Sequence, residues 1–139
     1  MSLFPVFQTT GSALTTNRVW MDAIADNIAN VNTVRPFDEP AFQARYVVAQ
    51  SVRSDGNDPA GVGGGVRVAG VEFGDAQGRI RYEPGNPMAN ADGLVRYPDM
   101  DLADQMVQLI QAQRSYQLNL TVIDRARDSY LQALQIQPR

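Results

Sequence analysis

Asp101–Ile136 reads DLADQMVQLIQAQRSYQLNLTVIDRARDSYLQALQI. Leu102, Met106, Leu109, Gln113, Tyr116, Leu120, Ile123, Arg127, Tyr130 and Leu134 step alternately by four and three residues, five heptads with neither Pro nor Gly inside. That spacing draws one continuous stripe along a helix. Asp101 supplies an N-cap and Asp104 a capping-box partner, and Pro138 stops the run. At 1.5 Å per residue the helix from Leu102 to Ile136 is ~52 Å long, whereas a compact chain of this size is roughly 37 Å across. The molecule is therefore expected to be elongated, built around a helix longer than a globule can enclose.

A second long helix is predicted at the other end of the chain, over Gln8–Val31. Phe7, Leu14, Met21 and Ile28 fall seven apart, with Thr10, Asn17, Ile24 and Val31 beside them. Gly11 weakens the early turns by roughly 1 kcal/mol relative to Ala, so fraying is expected over the first ten residues. Pro36 forces an end near Asn30–Thr33. The closing stretch, Asp26–Thr33, is DNIANVNT. Asn32 is placed to stop the helix in the left-handed conformation that Asn tolerates. Asn27 and Asn30, three apart, adjoin the apolar stripe and are expected to hydrogen-bond across to the C-terminal helix or to a neighbouring subunit, fixing register.

Between the helices, Arg35–Pro98 carries most of the Gly and Pro. Tyr46–Val48 within Ala41–Val52, Val66–Phe73, Arg79–Tyr82 and Leu94–Tyr97 read as short strands, the second and third joined by the turn Gly74–Gly78. Ser54–Gly65 reads as a flexible loop; its GVGGG lacks the G-x-G-x-x-G spacing of a phosphate cradle. Gly85–Gly93 reads as a long turn, and aligning it as a calcium loop would put Met88 at the first ligand position. The expected fold is α+β. Long N- and C-terminal helices (residues 1–33 and 101–139) pair as an antiparallel coiled coil, with a small β-rich unit (34–100) inserted between them and the loop 54–65 within it.

Composition narrows the chemistry. The 139 residues hold no Cys, no His and, among 12 basic residues, no Lys. Thiolate, imidazole and Schiff-base catalysis are excluded, as are Cys/His zinc sites, and no cofactor or metal is expected. The net charge of −3 and the scattered arginines offer no basic stripe for nucleic acid. The N-terminus lacks a Sec-type pattern and no apolar run reaches ~20 residues. Off the main stripe the C-terminal helix still shows Val107, Ile110, Leu118, Val122 and Leu131. A two-helix hairpin cannot bury apolar residues on every side, so these point to self-assembly or to packing in a larger bundle.

Three stretches resemble the bacterial flagellar axial proteins, those of the rod, hook and hook-associated parts. Asn27–Thr33 (NIANVNT), preceded by Met21–Asp26, resembles their N-terminal signature. Asp104–Tyr116 (DQMVQLIQAQRSY) with Asn119 resembles their C-terminal motif. Tyr82–Gly93 (YEPGNPMANADG) is similar to a Y-x-P-G-H-P-x-A-x-x-x-G stretch of proximal rod members, with Asn86 at the histidine and Leu94 at the later tyrosine. Val34-Arg35-Pro36-Phe37 stands where the family has a short Thr-rich stretch. The resemblance implies a basal-body rod subunit that crosses the periplasm, is exported by the flagellar type III apparatus without signal cleavage, and assembles with copies of itself and other rod proteins. It implies terminal helices that order on assembly into an inner coiled-coil layer around a channel, and no enzymatic activity. The expected assembly interface is Leu14, Met21, Ile24, Asn27, Ile28, Asn30 and Val31 with Met106, Leu109, Ile110, Gln113, Tyr116, Asn119, Leu120 and Ile123. No nucleic acid and no small-molecule substrate is expected as partner. Two other readings use the same sequence: a coiled-coil adaptor outside the flagellum, and a glycan hydrolase drawing on Glu83 with Asp92 or Asp99, whose spacing does not single them out.

Overall fold

The computed structural model describes residues 4–52 and 64–135; most of the loop read at 54–65, and the stop at Pro138, lie outside the described residues. Helix α1 (Phe4–Asn30) is followed by strands β1 (Arg35–Pro36), β2 (Arg45–Ser51), β3 (Val66–Phe73), β4 (Arg79–Tyr82) and β5 (Leu94–Tyr97), then by helix α2 (Leu102–Gln135). The architecture is α+β. Helix α1 continues through Gly11 back to Phe4, earlier than the expected start at Gln8. Its end differs too. No non-Gly residue among those described has a positive φ, so Asn32 is not a left-handed stop. The chain leaves the helix through tight i→i−3 bonds instead, Val31 N–H to Ile28 O and Thr33 N–H to Asn30 O.

Helix α2 begins as expected: the Asp101 carboxylate accepts the Ala103 N–H at 2.6 Å, and the Asp101 carbonyl accepts that of Gln105. Its 34 residues span ~51 Å. The two helices lie side by side and run antiparallel. Asn17 Nδ2 donates to Ser115 Oγ and Asn27 Nδ2 to Gln105 Oε1, both at 3.0 Å, so ten residues forward on α1 match ten backward on α2.

The strands form two separate antiparallel sheets, β1-β5-β4 and the hairpin β2-β3. The turn Gly74–Gly78 therefore does not close a hairpin between β3 and β4, as their shared alternation suggested. It carries the chain from one sheet to the other. Gly78, at φ 61°, is the reason the crossing is possible: a Cβ there would collide with the Tyr97 carbonyl and with Ala41. In the hairpin, Val48 opposes Gly70 and Ala49 opposes Val68, which leaves Ala69 as a bulge.

The hairpin lies along α1 and is tied to it at both ends. Asn27 holds the backbone of Arg45 where β2 begins. Ser12 Oγ accepts the N–H of Val66 where β3 begins, at 3.0 Å, while donating to Thr9 O. The helical rise from Ser12 to Asn27 is ~22 Å, and the strand from Arg45 to Ser51, which pairs with Val66, spans ~20 Å. The two lengths agree, so hairpin and helix are held in parallel alignment.

Arginine side chains close the loops of the smaller sheet. Arg79 donates to Pro98 O (3.1 Å) and Met100 O (2.7 Å), fixing the approach to α2. Arg96 donates to Phe37 O and Gln77 O and lies 4.7 Å from the Phe37 ring centroid. The planar guanidinium reaches two carbonyls at once, which an ammonium group does not do in the same geometry. Val95 and Pro98 are fully buried beneath these contacts.

Glu83 closes the long turn 85–93. Its carboxylate accepts from Asn86 Nδ2 (3.0 Å) and from the Tyr97 hydroxyl (3.0 and 3.1 Å). The Asn86 bond, then the Tyr97 bond and the nearby Arg81 charge, hold the Glu83 pKa below the usual carboxylate range. The same carboxylate raises the Tyr97 phenol above its ordinary value. A carboxyl that gives up its proton more easily when folded stabilises the fold above its unfolded pKa of about 4.3, and that contribution disappears as pH falls through the lower folded value. The phenol contributes below about pH 10 and loses its contribution as pH rises through the raised folded value. Urea midpoints measured between pH 3 and 6 should fall on acidification in the native chain and fall less in Glu83→Gln and Tyr97→Phe.

Candidate assembly surface

The surface is built around the contact of α1 with α2. On α1 the residues buried against neighbouring elements are Thr10, Asn17, Ile24 and Asn27, with Ala13 and Trp20 half-buried beside them. On α2 they are Gln105 and Ala112, with Leu109, Ser115, Tyr116, Asn119, Ile123 and Ala126 half-buried. The heptad spacing is present, but each helix is turned from the expected stripe. Leu109, Tyr116 and Ile123 keep their place on the inner face of α2; Met106, Gln113 and Leu120 yield theirs to Gln105, Ala112 and Asn119, one residue earlier. On α1 the set Thr10, Asn17 and Ile24 is inside, while Phe7 is exposed and Leu14, Met21 and Ile28 lie at the half-buried margin. The physical reason is size. Small and amide residues let the two backbones approach and exchange hydrogen bonds, and the antiparallel register sets Ala112, with 0% exposure, opposite the bulky Trp20.

Asn27 is the centre of this contact, 1% exposed. Its Oδ1 accepts the Arg45 N–H at 2.8 Å and its Nδ2 donates to the Arg45 carbonyl at 3.0 Å. These two bonds fix which way the amide faces, since a backbone N–H only donates and a carbonyl only accepts. The second Nδ2 hydrogen then goes to Gln105 Oε1, itself on a residue only 3% exposed. One side chain thus joins α1, α2 and β2. Beside it the Arg45 guanidinium pairs with the Asp26 carboxylate.

Asn30 does something different from what its spacing suggested. It bonds within its own helix end, donating to Asp26 O at 2.8 Å and accepting from Thr33 Oγ1 at 3.2 Å. Among the described residues it makes no bond to α2. Val31 is half-buried at the same end. Asn119 likewise bonds locally, to the Ser115 carbonyl. Gln105 and Ser115, the partners of the two cross-helix asparagines, were absent from the expected interface; their signal was the register, which only the paired helices define.

The outer side of α2 is apolar. Leu102, Met106, Val107, Ile110, Leu118, Leu120, Val122, Tyr130, Leu131 and Leu134 are all at least 41% exposed, Leu118 the most at 67%. From Arg127 to Gln135 every residue is exposed, because the register places Phe4, where α1 begins, opposite Asp128. The chain exposes 9885 Å², against roughly 7,100 Å² for a compact monomer of this mass. Large apolar side chains exposed in this number along one helix mark an interaction site. Of the carboxylates considered for hydrolysis, Glu83 is bonded to Tyr97 and Asn86, and Asp99 stands 3.8 Å from Arg79, while the Asp92 carboxylate takes part in no hydrogen bond or ion pair among the described residues. No group of metal-ligating side chains occurs among the described residues, and no described helix is long and apolar enough to cross a membrane.

A pair of long terminal helices with an outward apolar face and an inserted β unit defines an assembling structural protein, and comparison with known proteins gives the class. The family model for flagella basal body rod proteins matches residues 7–36, and that for the C-terminal part of the flagellar basal body rod FlgEFG proteins matches 93–136. The chain is 37% identical over 134 residues to the flagellar basal-body rod protein FlgC of Yersinia enterocolitica, covering 96% of this chain and 97% of that one. It is 33% identical to FlgC of Borreliella burgdorferi (98% of each chain) and 30% identical to FlgC of Bacillus subtilis (98% and 99%). The chain belongs to the FlgC family of flagellar basal-body rod proteins and is a structural subunit of the rod.

Three substitutions separate the inner lock from the outer face. Asn27→Ala strands the Arg45 backbone groups and the Gln105 amide, and should lower unfolding stability by roughly 2–4 kcal/mol in urea denaturation, whereas Asn30→Ala, a local bond on a half-exposed residue, should cost about 1 or less. Ile110→Asp lies in the open, so the monomer should keep its stability within about 0.5 kcal/mol, while electron microscopy of basal bodies should show rods missing or incomplete.

Proposed function

We propose that α1 and α2 form the coiled-coil layer of the rod, the intrachain pair supplying part of each bundle and the outer face of α2 supplying the rest. The observation that carries this is the division of α2: Leu109, Tyr116 and Ile123 face α1 together with Gln105, Ala112 and Ser115, while Met106, Val107, Ile110, Leu118 and Leu120 are left exposed on the other sides of the helix. A helix meant only for its own chain would turn those residues inward. The contacts are heterologous, one surface meeting a different surface on the next copy, which generates a helical array rather than a closed dimer.

In this reading residues 1–33 and 101–139 build the layer and 34–100 form the outer unit. The assembly residues fall into two groups. Ile24, Asn27, Leu109, Tyr116, Asn119 and Ile123, with the marginal Leu14, Met21, Ile28, Asn30 and Val31, set the pair. Met106, Ile110, Gln113 and Leu120 meet neighbours, which are further copies and other rod proteins. Stiffness follows from the packing of long helices in contact along their length, and the rod transmits torque by that stiffness. The chain is exported by the flagellar type III apparatus without cleavage of its N-terminus, a reading that rests on its resemblance to the axial proteins.

Hydrogen exchange tests the central claim. In the isolated chain, amides of 129–135 should exchange within seconds because the register sets no described residue of α1 opposite them; in assembled rods they should be protected. Rapid exchange in both states, or full protection in the isolated chain, would overturn it. Deleting the gene should leave cells non-motile and without complete rods, an effect that loss of an adaptor outside the flagellum would not have.

A further inference from the structure

The outer surface of α1 carries a groove of about 490 Å³ beside the β2-β3 hairpin, on the side away from α2. Val19, Ala23, Val47 and Val71 give it apolar walls, and Asp22, Asp26 and Arg45 are its charged lining. Asp26 is paired with Arg45. Asp22 is exposed and, among the described residues, takes part in no ion pair or hydrogen bond, although Arg18 stands one helical turn away. The groove is thus apolar with an unneutralised carboxylate at its edge.

A matching surface exists on α2. Val107, Arg114, Leu118 and Arg125 follow one another at seven, four and seven residues and so lie on a single face, with Val122 alongside. Val107, Leu118 and Val122 are 53%, 67% and 45% exposed. Arg114 and Arg125 are exposed and, like Asp22, take part in no ion pair or hydrogen bond among the described residues. Asp104 and Asp128 stand at the two ends of this face, one turn before Val107 and one turn after Arg125. This face is also distinct from the stripe of Leu102, Met106, Ile110 and Leu120.

We propose that the α1 groove receives this basic-apolar face of α2 from a second copy of the chain. The two surfaces are complementary in charge and both apolar, and they sit on different sides of the molecule, so each copy offers a groove to one neighbour and a face to another. Charge on a contact of this kind selects register and rejects wrong pairings more than it adds affinity. The proposal rests on the reading of α2 as an intersubunit helix and names one of its partners.

Charge reversal with rescue decides it. Asp22→Arg alone should reduce rod assembly, scored as basal bodies with complete rods and as swimming, by at least tenfold, and Arg114→Asp or Arg125→Asp should do the same. Because every copy carries both surfaces, a double variant restores the complementary pair: Asp22→Arg with Arg114→Asp, or Asp22→Arg with Arg125→Asp, should recover assembly. All three positions are exposed, and circular dichroism should show each variant folded as the native chain. Normal assembly by the single variants, or failure of both doubles to recover, overturns the proposal. Ile110→Asp run in parallel separates the two levels: if it blocks assembly while the charge reversals do not, the groove pairing falls and the intersubunit role of α2 stands. A second measurement uses the absence of native cysteine. Asp22→Cys with Leu118→Cys in one chain should give a ladder of disulfide-linked oligomers from assembled material; monomers alone overturn the contact.

Discussion

The amide of Asn27 is the joint on which three elements depend. It sits almost wholly out of water and bonds the backbone of β2 twice and Gln105 of α2 once. Gln105 is itself 3% exposed and the bonds to Arg45 are part-buried, so the lock is complete only when α1, α2 and the hairpin are all in place. That makes it selective. A slide of α2 by one turn would leave Gln105 Oε1 and one Asn27 Nδ2 hydrogen without a partner, at a cost of roughly 1–3 kcal/mol per group, whereas a slide between purely apolar stripes would exchange one hydrophobic contact for another.

This explains why asparagine is set into a helix end flanked by an apolar stripe. Asn27 bonds across, as its place beside the stripe implied. Asn30 does not bond to α2: from the last turn of the helix its amide donates to the Asp26 carbonyl one turn back and receives the Thr33 hydroxyl, tying the chain that leaves the helix to the helix end. Less than one helical turn separates a register lock from a cap. The distinction depends on which side of α1 the hairpin lies, and that is a tertiary fact.

Much of the fold was legible because it rests on local chemistry. The long α2 follows from an uninterrupted heptad and the Asp101 cap, and four of the five strands follow from alternation bounded by Gly and Pro. What was not legible depends on long-range partners. Strands β3 and β4 are neighbours in sequence with a turn between them, yet each pairs elsewhere, because Gly78 lets the chain cross to another sheet. The stripe of α2 was displaced by one residue because the largest apolar side chains were assigned to the intrachain contact. That rule holds when a chain's interior is all its own. Here the inner face takes Gln105, Ala112 and Asn119, and Met106 and Leu120 are left outside.

The displacement has a thermodynamic consequence. The seam mixes Ile24, Trp20, Leu109, Tyr116 and Ile123 with Ala112 and amides, so at ~25 cal/mol per Å² it contributes less than a seam of large apolar residues throughout. Met106, Val107, Ile110, Leu118 and Leu120 stay exposed, and their hydrophobic driving force is largely unused in the single chain. Had the large residues turned inward, the monomer would be more stable and its outer surface too polar to gather neighbours. In the assembly proposed above, different chemistry on one helix would meet the two needs of a rod subunit: the hydrogen bonds of Asn17 and Asn27 choose the register of the pair, and the exposed apolar residues of α2 are free for neighbours, whose repeated heterologous contact builds a helical array.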